Sequence, residues 1–419
     1  MKTEWAHKKL IDLADYYNGM AFKPSDWVES GTKIIRIEQL NNPLGNYDYY
    51  QGSYPEINAI HNEDLIFSWS ATLKVAIWKW GEGVLNQHLF KVVPFENVDK
   101  YFLYYLLDYN MPKLGESSHG STMKHIKRKE LETYSVKIPT TLSAQCRIAA
   151  ILASADKVIA ATQKTIAKYK QMKQGMMEEL FNEQCTIFAQ TERSSQIHLD
   201  DAEVQPKITQ KRSGCVMNNV QWRKVRLGEC LKQKPDYGIN APAVPYDNNL
   251  PTYLRITDIT EDGYYSKKDI VSVSSQDALK YVMEEGDLVF ARTGASTGKT
   301  YLYNPKDGML VFAGFLIRVR TDANVLLPEY LKYQTQTPQY KNWIAANSMR
   351  TGQPGINGNE YEEFPISIPY KNDKPDLAEQ RRSAAILSDI DAKIAAEEKV
   401  LEKYEKVKRG LMEKLLENE

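Results

Sequence analysis

The chain has 419 residues, too many for one hydrophobic core; at roughly 150 residues per domain it divides into two or three. Hydrophobic residues make up 42% and charged residues 26%, while Lys+Arg and Asp+Glu are both 54, which excludes a uniformly basic coat for nucleic acid but leaves room for local patches. Residues 1–17 lack the apolar stretch of a secretion signal, and the longest apolar run (309–317) is far below the roughly 20 residues that span a bilayer.

In chain order, short β-type runs come first, over 33–37, 64–67, 75–78 and 89–93, with an amphipathic helix over 98–107. A long helix follows. Its apolar or small residues, Ile148, Leu152, Ala155, Ile159, Thr162, Ile166 and Tyr169, alternate steps of four and three, the period of a coiled coil. Residues 182–219 are polar and unpatterned and read as a linker. Further β-type runs cover 253–257, 287–291, 299–303 and 315–320, and a helix covers 328–334. The second long helix places Leu387, Ile390, Ile394, Leu401 and Tyr404 on the same seam. Lys164, Lys168, Lys170, Glu397, Glu398 and Lys403 fall outside it, on a solvated face. Ser143 and Asp376 suit N-cap or first-turn positions. Neither helix buries such a stripe alone, so the two are expected to pair.

The chain is an internal duplication. Residues 145–181 align without gaps on 380–416, an offset of 380 − 145 = 235, and 18 of these 37 positions are identical. Upstream, Trp5 with Leu10 echoes Trp222 with Leu227, and Ile34-Ile35-Arg36-Ile37 echoes Tyr253-Leu254-Arg255-Ile256. Glu63-Asp64-Leu65-Ile66-Phe67 echoes Gly286-Asp287-Leu288-Val289-Phe290, and Ile138-Pro139 echoes Ile368-Pro369. The order is kept while the residues between have diverged, giving a variable module and a repeated helix, twice.

Signs of catalysis are weak. Gly294-Ala295-Ser296-Thr297-Gly298-Lys299-Thr300 approximates a phosphate-binding P-loop, but its first glycine is one residue too close and a strand follows where a helix is needed. A Gly-rich strand–strand loop explains it better. Six histidines form no metal spacing, and Cys146, Cys185, Cys215 and Cys230 have no CxxC pairing, as expected of reduced thiols in a cytoplasmic protein. There is no methyltransferase cofactor loop. The chain reads as non-catalytic, with no cofactor and no metal.

Two polar loops, residues 120–129 and 350–359, stand out and are aligned by Ile126 and Ile356. Lys124, Lys127 and Arg128 in the first seek phosphate; the second has Arg350, with Gln353 and Asn357 able to read base edges. Both are equally readable as solvated surface loops. Arg36 and Arg255, at equivalent places in β-type runs, are DNA contacts or intramodule salt-bridge partners. Lys74 and Arg292, in the loops after the paired Asp-Leu strands, are further candidates for DNA.

Taken in order and twice over, the Trp-x4-Leu start, the Asp-Leu strand, the Ile-Pro stop and the Gln-x-x-x-Ala-x-Ile-Leu helix opening resemble the specificity subunits of type I restriction–modification systems. The resemblance spans nearly the whole chain. It implies that each variable module is a target-recognition domain reading one half of a split double-stranded DNA sequence. It also implies that the two helices form an antiparallel coiled coil that spaces the modules and docks two copies of the modification (methyltransferase) subunit. Restriction subunits would join through these, and methyl transfer and ATP-dependent cleavage would lie on the partner chains. The first module has Ser68-Trp69-Ser70 where the second has Ala291-Arg292-Thr293, closer to the family's usual strand end. Because the modules differ, the implied target is not a palindrome. Helices of about 37 residues are roughly 55 Å long, at most about 16 base pairs.

The expected fold class is α+β, with two globular target-recognition-like domains separated by two long helices. The expected boundaries are 1–141 for the first variable domain, 142–183 for its helix, 184–216 for a linker, 217–375 for the second variable domain and 376–419 for the second helix. Two alternatives remain beside the DNA reader: a coiled-coil scaffold that spaces two protein-binding modules, and a DNA-modifying enzyme with an unrecognised site.

Overall fold

The structure, a computed structural model, describes residues 4–116, 126, 128–181, 221–349 and 353–417. Two compact units emerge, Met1–Thr165 with Glu397–Glu419 and Ile166–Ala396. The first contains β1 (Trp5–Lys9), β2 (Ala14–Asn18), β3 (Thr32–Ile35), α1 (Ile37–Asn41), β4 (Tyr49–Tyr50) and β5 (Ala59–Ile60). It continues with β6 (Leu65–Ser68), β7 (Lys74–Ile77), β8 (Gly83–Leu85), β9 (Leu89–Pro94), α2 (Lys100–Glu116), α3 (Arg128–Thr133) and β10 (Ser135–Pro139). The long helix α4 (Leu142–Phe181) begins in this unit and ends in the second.

The second unit contains β11 (Gln221–Arg226), β12 (Asp236–Tyr237), β13 (Ala243–Pro245), β14 (Thr252–Leu254), β15 (Val271–Val273) and β16 (Leu288–Ala291). Then come β17 (Thr300–Leu302), β18 (Leu310–Phe312), β19 (Leu316–Val319), α5 (Pro328–Gln334), α6 (Pro338–Asn347), α7 (Gly358–Glu362), β20 (Pro365–Lys371) and β21 (Lys374–Pro375). The second long helix, α8 (Leu377–Met412), starts here and returns to the first unit. The class is α+β, with the two long helices packed on the modules and on each other.

Each unit is built on a four-stranded antiparallel sheet of matching order, β2-β9-β6-β7 in one and β12-β19-β16-β17 in the other. Phe67, Phe90, Phe102 and Leu106 form the first core, closed by Ile148 and Leu152 of α4 and by Met412 and Leu416. Phe290, Ile317, Tyr330 and Leu331 form the second, closed by Met177 and Leu180 of α4 and by Ala384 and Leu387 of α8. Within each unit, therefore, one end of α4 lies beside the opposite end of α8. The helices run antiparallel. The seam residues Ile148, Leu152, Thr162, Ile166, Leu387, Ile390 and Ile394 are buried, as their spacing predicts. Tyr404 departs from that expectation: it is exposed, and one turn later it is the ion pair of Lys408 that makes the contact.

The repeated motifs are scaffold contacts made twice. Trp5 lies across from Pro139 in the β1–β10 ladder, and Trp222 across from Pro369 in β11–β20. Thus the Trp-x4-Leu and Ile-Pro motifs face each other in one antiparallel pair. The buried Gln145 accepts from the Asp99 N–H (2.8 Å) and donates to the Pro139 carbonyl (3.0 Å). Likewise Gln380 accepts from the Leu327 N–H (2.9 Å) and donates to the Val325 carbonyl (2.9 Å). Each glutamine satisfies backbone groups that would otherwise be buried unpaired where the long helix meets the module. Asp376 caps α8, accepting from the Ala378 and Glu379 N–H groups at 3.1 Å each.

Several boundaries differ from those expected. The runs holding Arg36 and Arg255 are not strand throughout: β3 ends at Ile35 and β14 at Leu254, and both arginines lead into a helical turn. In each, the side chain three residues on (Gln39, Asp258) accepts from the arginine's own N–H, which favours the turn over continued strand. The two polar loops are partly helical, since Arg128 opens α3 and Asn357 caps α7. A strand, β10 or β20, then separates each from its long helix. The stretch expected as a linker lies outside the described residues.

Candidate functional site

The Asp-Leu strands are anchored from below. Asp64 accepts from the His61 N–H (2.8 Å) and pairs with Lys91 (3.0 Å), which also donates to the Ala59 carbonyl (2.7 Å). Asp287 accepts from the Glu284 N–H (2.9 Å) and pairs with Arg318 (3.1 Å), which donates to the Val282 carbonyl (3.1 Å). Arg320 takes the remaining Asp287 oxygen at 2.6 Å. These carboxylates therefore hold the strand in place and are not free for chemistry.

Beyond the strand end, one backbone frame occurs in both modules. Trp69 donates its N–H to the His88 carbonyl (3.4 Å), and its carbonyl accepts from the Ile126 N–H (2.8 Å). Arg292 donates its N–H to the Phe315 carbonyl (3.0 Å), and its carbonyl accepts from the Ile356 N–H (2.9 Å). Ile126 and Ile356 are both buried, as their alignment requires. The frame is identical while its side chains are not. Trp69 lies with the His88 ring at 5.6 Å, whereas the Arg292 guanidinium lies 5.1 Å from the Tyr237 ring centre and 5.9 Å from that of Phe315.

In the second module the frame gathers residues from distant parts of the chain. Thr293 bridges Gly355, and the Gly294 N–H donates to the Pro354 carbonyl (2.9 Å), so the polar loop lies directly against the strand end. Gly294 has φ +70°, which favours glycine, and a Cβ there would meet the Gln353 side-chain nitrogen at 2.7 Å and displace that flexible amide. The Tyr237 hydroxyl accepts from the Gly358 N–H (3.0 Å), fixing that ring beside Arg292. Asn357 accepts from the Glu360 N–H (3.0 Å), and Glu360 returns the bond, so this asparagine is already engaged in a helix cap. The P-loop-like stretch is a tight strand connection: Ala291 donates to the Lys299 carbonyl (2.8 Å) and Gly298 to that of Ala291 (2.9 Å).

The remaining candidates are dispersed. Arg36 is bound to Asp48 and lies 4.7 Å from the Trp27 ring, and Arg255 pairs with Asp258 at 2.8 Å, which raises its pKa further. The intramodule salt bridge, one of the two alternatives for this pair, is present in both. Lys74 is not in the loop after β6: it is the first residue of β7 and donates to the Leu40 carbonyl (2.6 Å). Its counterpart is Lys299, which reaches the Ile259 carbonyl (3.5 Å) and Glu261 (2.8 Å), and not Arg292. Arg128 is exposed, 4.0 Å from Glu132. Lys124, Lys127 and Arg350 lie outside the described residues.

Sequence reasoning missed Tyr237 and Phe315, exposed aromatics that carry no period and no motif. Among the described residues there is no cluster of three His, Cys, Asp or Glu side chains that could hold a metal, and no helix is long and apolar enough to cross a membrane. What the second module offers is a planar cation held by aromatic rings at a sheet end, with the Gln353 carboxamide over Gly294 two residues on. Such donors suit acceptor pairs on an anion or a base edge.

Comparison with known proteins agrees with this organisation. The family profile described as "Type I restriction modification DNA specificity domain" matches residues 2–171 and again 219–406. The EcoBI specificity subunit of Escherichia coli is 23% identical over 374 residues, 87% of this chain and 76% of that protein. The MjaVIII specificity subunit of Methanocaldococcus jannaschii is 22% identical over 434 residues, covering 99% and 92%. A crystal structure of the type I restriction–modification S subunit from M. genitalium shares the fold, with a TM-score of 0.59 at 13% identity, covering 100% of this chain and 97% of that one.

Proposed function

The chain belongs to the family of type I restriction–modification DNA specificity subunits, which are not themselves catalytic, and from that premise we propose that it reads a bipartite, asymmetric target on double-stranded DNA. Each module takes one half-site. Two modification subunits dock on exposed faces of the long helices, restriction subunits join through them, and methyl transfer and cleavage belong to those partners. Arg292 and Gln353 face base edges in this reading, while Lys124, Lys127, Arg128 and Arg350 steady the phosphates.

The observation that carries this reading is the shared frame with unlike contents. One scaffold position holds Trp69 beside His88 in one module and Arg292 near two aromatic rings in the other. Because groups of different hydrogen-bonding character select different bases, two such modules on one chain read two different words. The test is methylation mapping of the host genome with and without this gene. Loss of one interrupted, non-palindromic motif is expected on deletion. A palindromic motif, or an unchanged methylome in a host carrying active modification subunits, would overturn the reading.

A further inference from the structure

The described arginines of the second module fall into two groups. Arg255, Arg318 and Arg320 are committed to carboxylates, to Asp258, to Asp236 with Asp287, and to Asp287 with Glu284. Arg292 has no carboxylate partner among the described residues; its guanidinium is held instead against Tyr237 and Phe315. Both rings are exposed, Tyr237 at 40% and Phe315 at 55%, although large aromatics are ordinarily drawn into a core. Ring contact fixes the plane of a guanidinium while leaving its N–H edge open. A salt bridge would have consumed that edge.

A fixed plane is not required at a phosphate, which a mobile lysine satisfies as a point charge, although a guanidinium can also grip two of its oxygens. Such a plane is needed for paired donors aimed at two acceptors in one plane. Only guanine presents two adjacent acceptors, N7 and O6, on its major-groove edge; adenine places a donor beside N7. Resting on the DNA-reading function above, we infer that Arg292 reads the N7/O6 edge of one guanine in the half-site of the second module, with Tyr237 and Phe315 as positioning residues. The first module has Trp69 at the same frame position, so this requirement is confined to one half-site.

The experiment is methylation mapping of the complex of this chain with its modification subunits, for the wild type, Arg292→Lys, Arg292→Gln and Phe315→Leu. In the wild type one half-site contains an invariant guanine. In both Arg292 variants that letter alone degenerates, discrimination against other bases there falling roughly 10- to 100-fold, and the other half-site keeps its letters as an internal control. Phe315→Leu retains the arginine but loosens its plane, so it lowers discrimination at the same letter by a smaller factor. A second measurement needs no variant and remains decisive should one not fold. Replacing the guanine by 7-deazaguanine, which lacks the N7 acceptor, weakens wild-type binding, whereas inosine, which keeps N7 and O6, does not.

A half-site pair without any invariant guanine overturns the inference, as do Arg292 variants with unchanged letters. Uniform weakening on all sequences would instead mark Arg292 as a phosphate contact. Failure of the parent reading looks different: the wild-type complex itself would then show no sequence preference.

Discussion

Lys173 of α4 reaches Asp391 of α8 at 2.6 Å, and the same exchange occurs in the other unit, where Lys408 of α8 reaches Asp156 of α4 at 2.7 Å. Lys173 and Lys408 are equivalent under the duplication, as are Asp391 and Asp156, since both pairs are offset by 235 (408 − 173 and 391 − 156). Each aspartate also accepts from a module tyrosine, Tyr333 at 2.9 Å and Tyr105 at 2.7 Å. Two long helices and a module thus meet at one carboxylate. The positions retained by both copies are those that lock helix to helix and helix to module.

The two locks differ in burial, which predicts unequal effects. The Lys173 and Asp391 side chains are only 11% and 10% exposed. Asp391→Ala removes the carboxylate partner of two half-buried cations, Lys173 and Lys332, and is expected to cost about 3 kcal/mol. Asp156→Ala acts on a more exposed pair and is expected to cost about 1 kcal/mol. Chemical denaturation of the two variants checks the order, and equal losses would show that burial does not set it.

Gln380→Leu preserves volume but leaves the Leu327 N–H and the Val325 carbonyl without their partner. The expected loss is about 2 kcal/mol, the price of buried backbone groups left unpaired. Gln145→Leu should behave alike, because Asp99, Asn97 and Pro139 lose their bonds in the same way. Losses below about 0.5 kcal/mol in urea titrations would mean that solvent reaches these groups.

Asp108 gives a pH-dependent prediction. Burial raises its pKa from 3.8; Lys408 and Lys74 oppose that shift and Asp156 adds to it. A carboxyl with a raised folded pKa binds its proton more readily in the native chain than in the unfolded one. Stability therefore falls as pH rises from 3.8 through the raised value. The second module has Gln336 at the corresponding place, a neutral amide that accepts from Lys173 at 2.7 Å. Asp108→Asn is accordingly expected to melt higher than wild type at pH 7, with the difference closing as the pH is lowered below 3.8. A difference that widens on acidification would reverse the sign of the argument.

If the long helices set the gap between half-sites, their length is written into the target. Four residues added between Ala160 and Lys168 lengthen the helix by about 6 Å, close to two base pairs, and a coiled coil absorbs such an insertion by local unwinding. The expected complex methylates the same two half-sites across a longer gap. Methylation mapping of the insertion variant checks this. An unchanged gap in an active complex would remove the helices as the ruler.

What the sequence by itself determined is the scaffold. The duplication, the α+β class, the paired helices and the family were all legible, because the repeated residues work inside the frame. Gln145 and Gln380, Asp64 and Asp287, and Trp5 and Trp222 each satisfy a buried backbone group or hold a strand pair, and that demand recurs wherever the frame recurs. The binding surface obeys no such repetition. Tertiary structure alone decided that Tyr237 of β12 and Phe315 before β19 converge on Arg292, and that Gln353 lies over Gly294. It alone showed that Lys74 matches Lys299, because their shared role depends on carbonyls of a separate segment, Leu40 and Ile259. Periodicity reports which face of one element is buried. Which exposed side chains meet is set by strand order and loop pairing between elements remote in sequence, and these leave no local pattern to read.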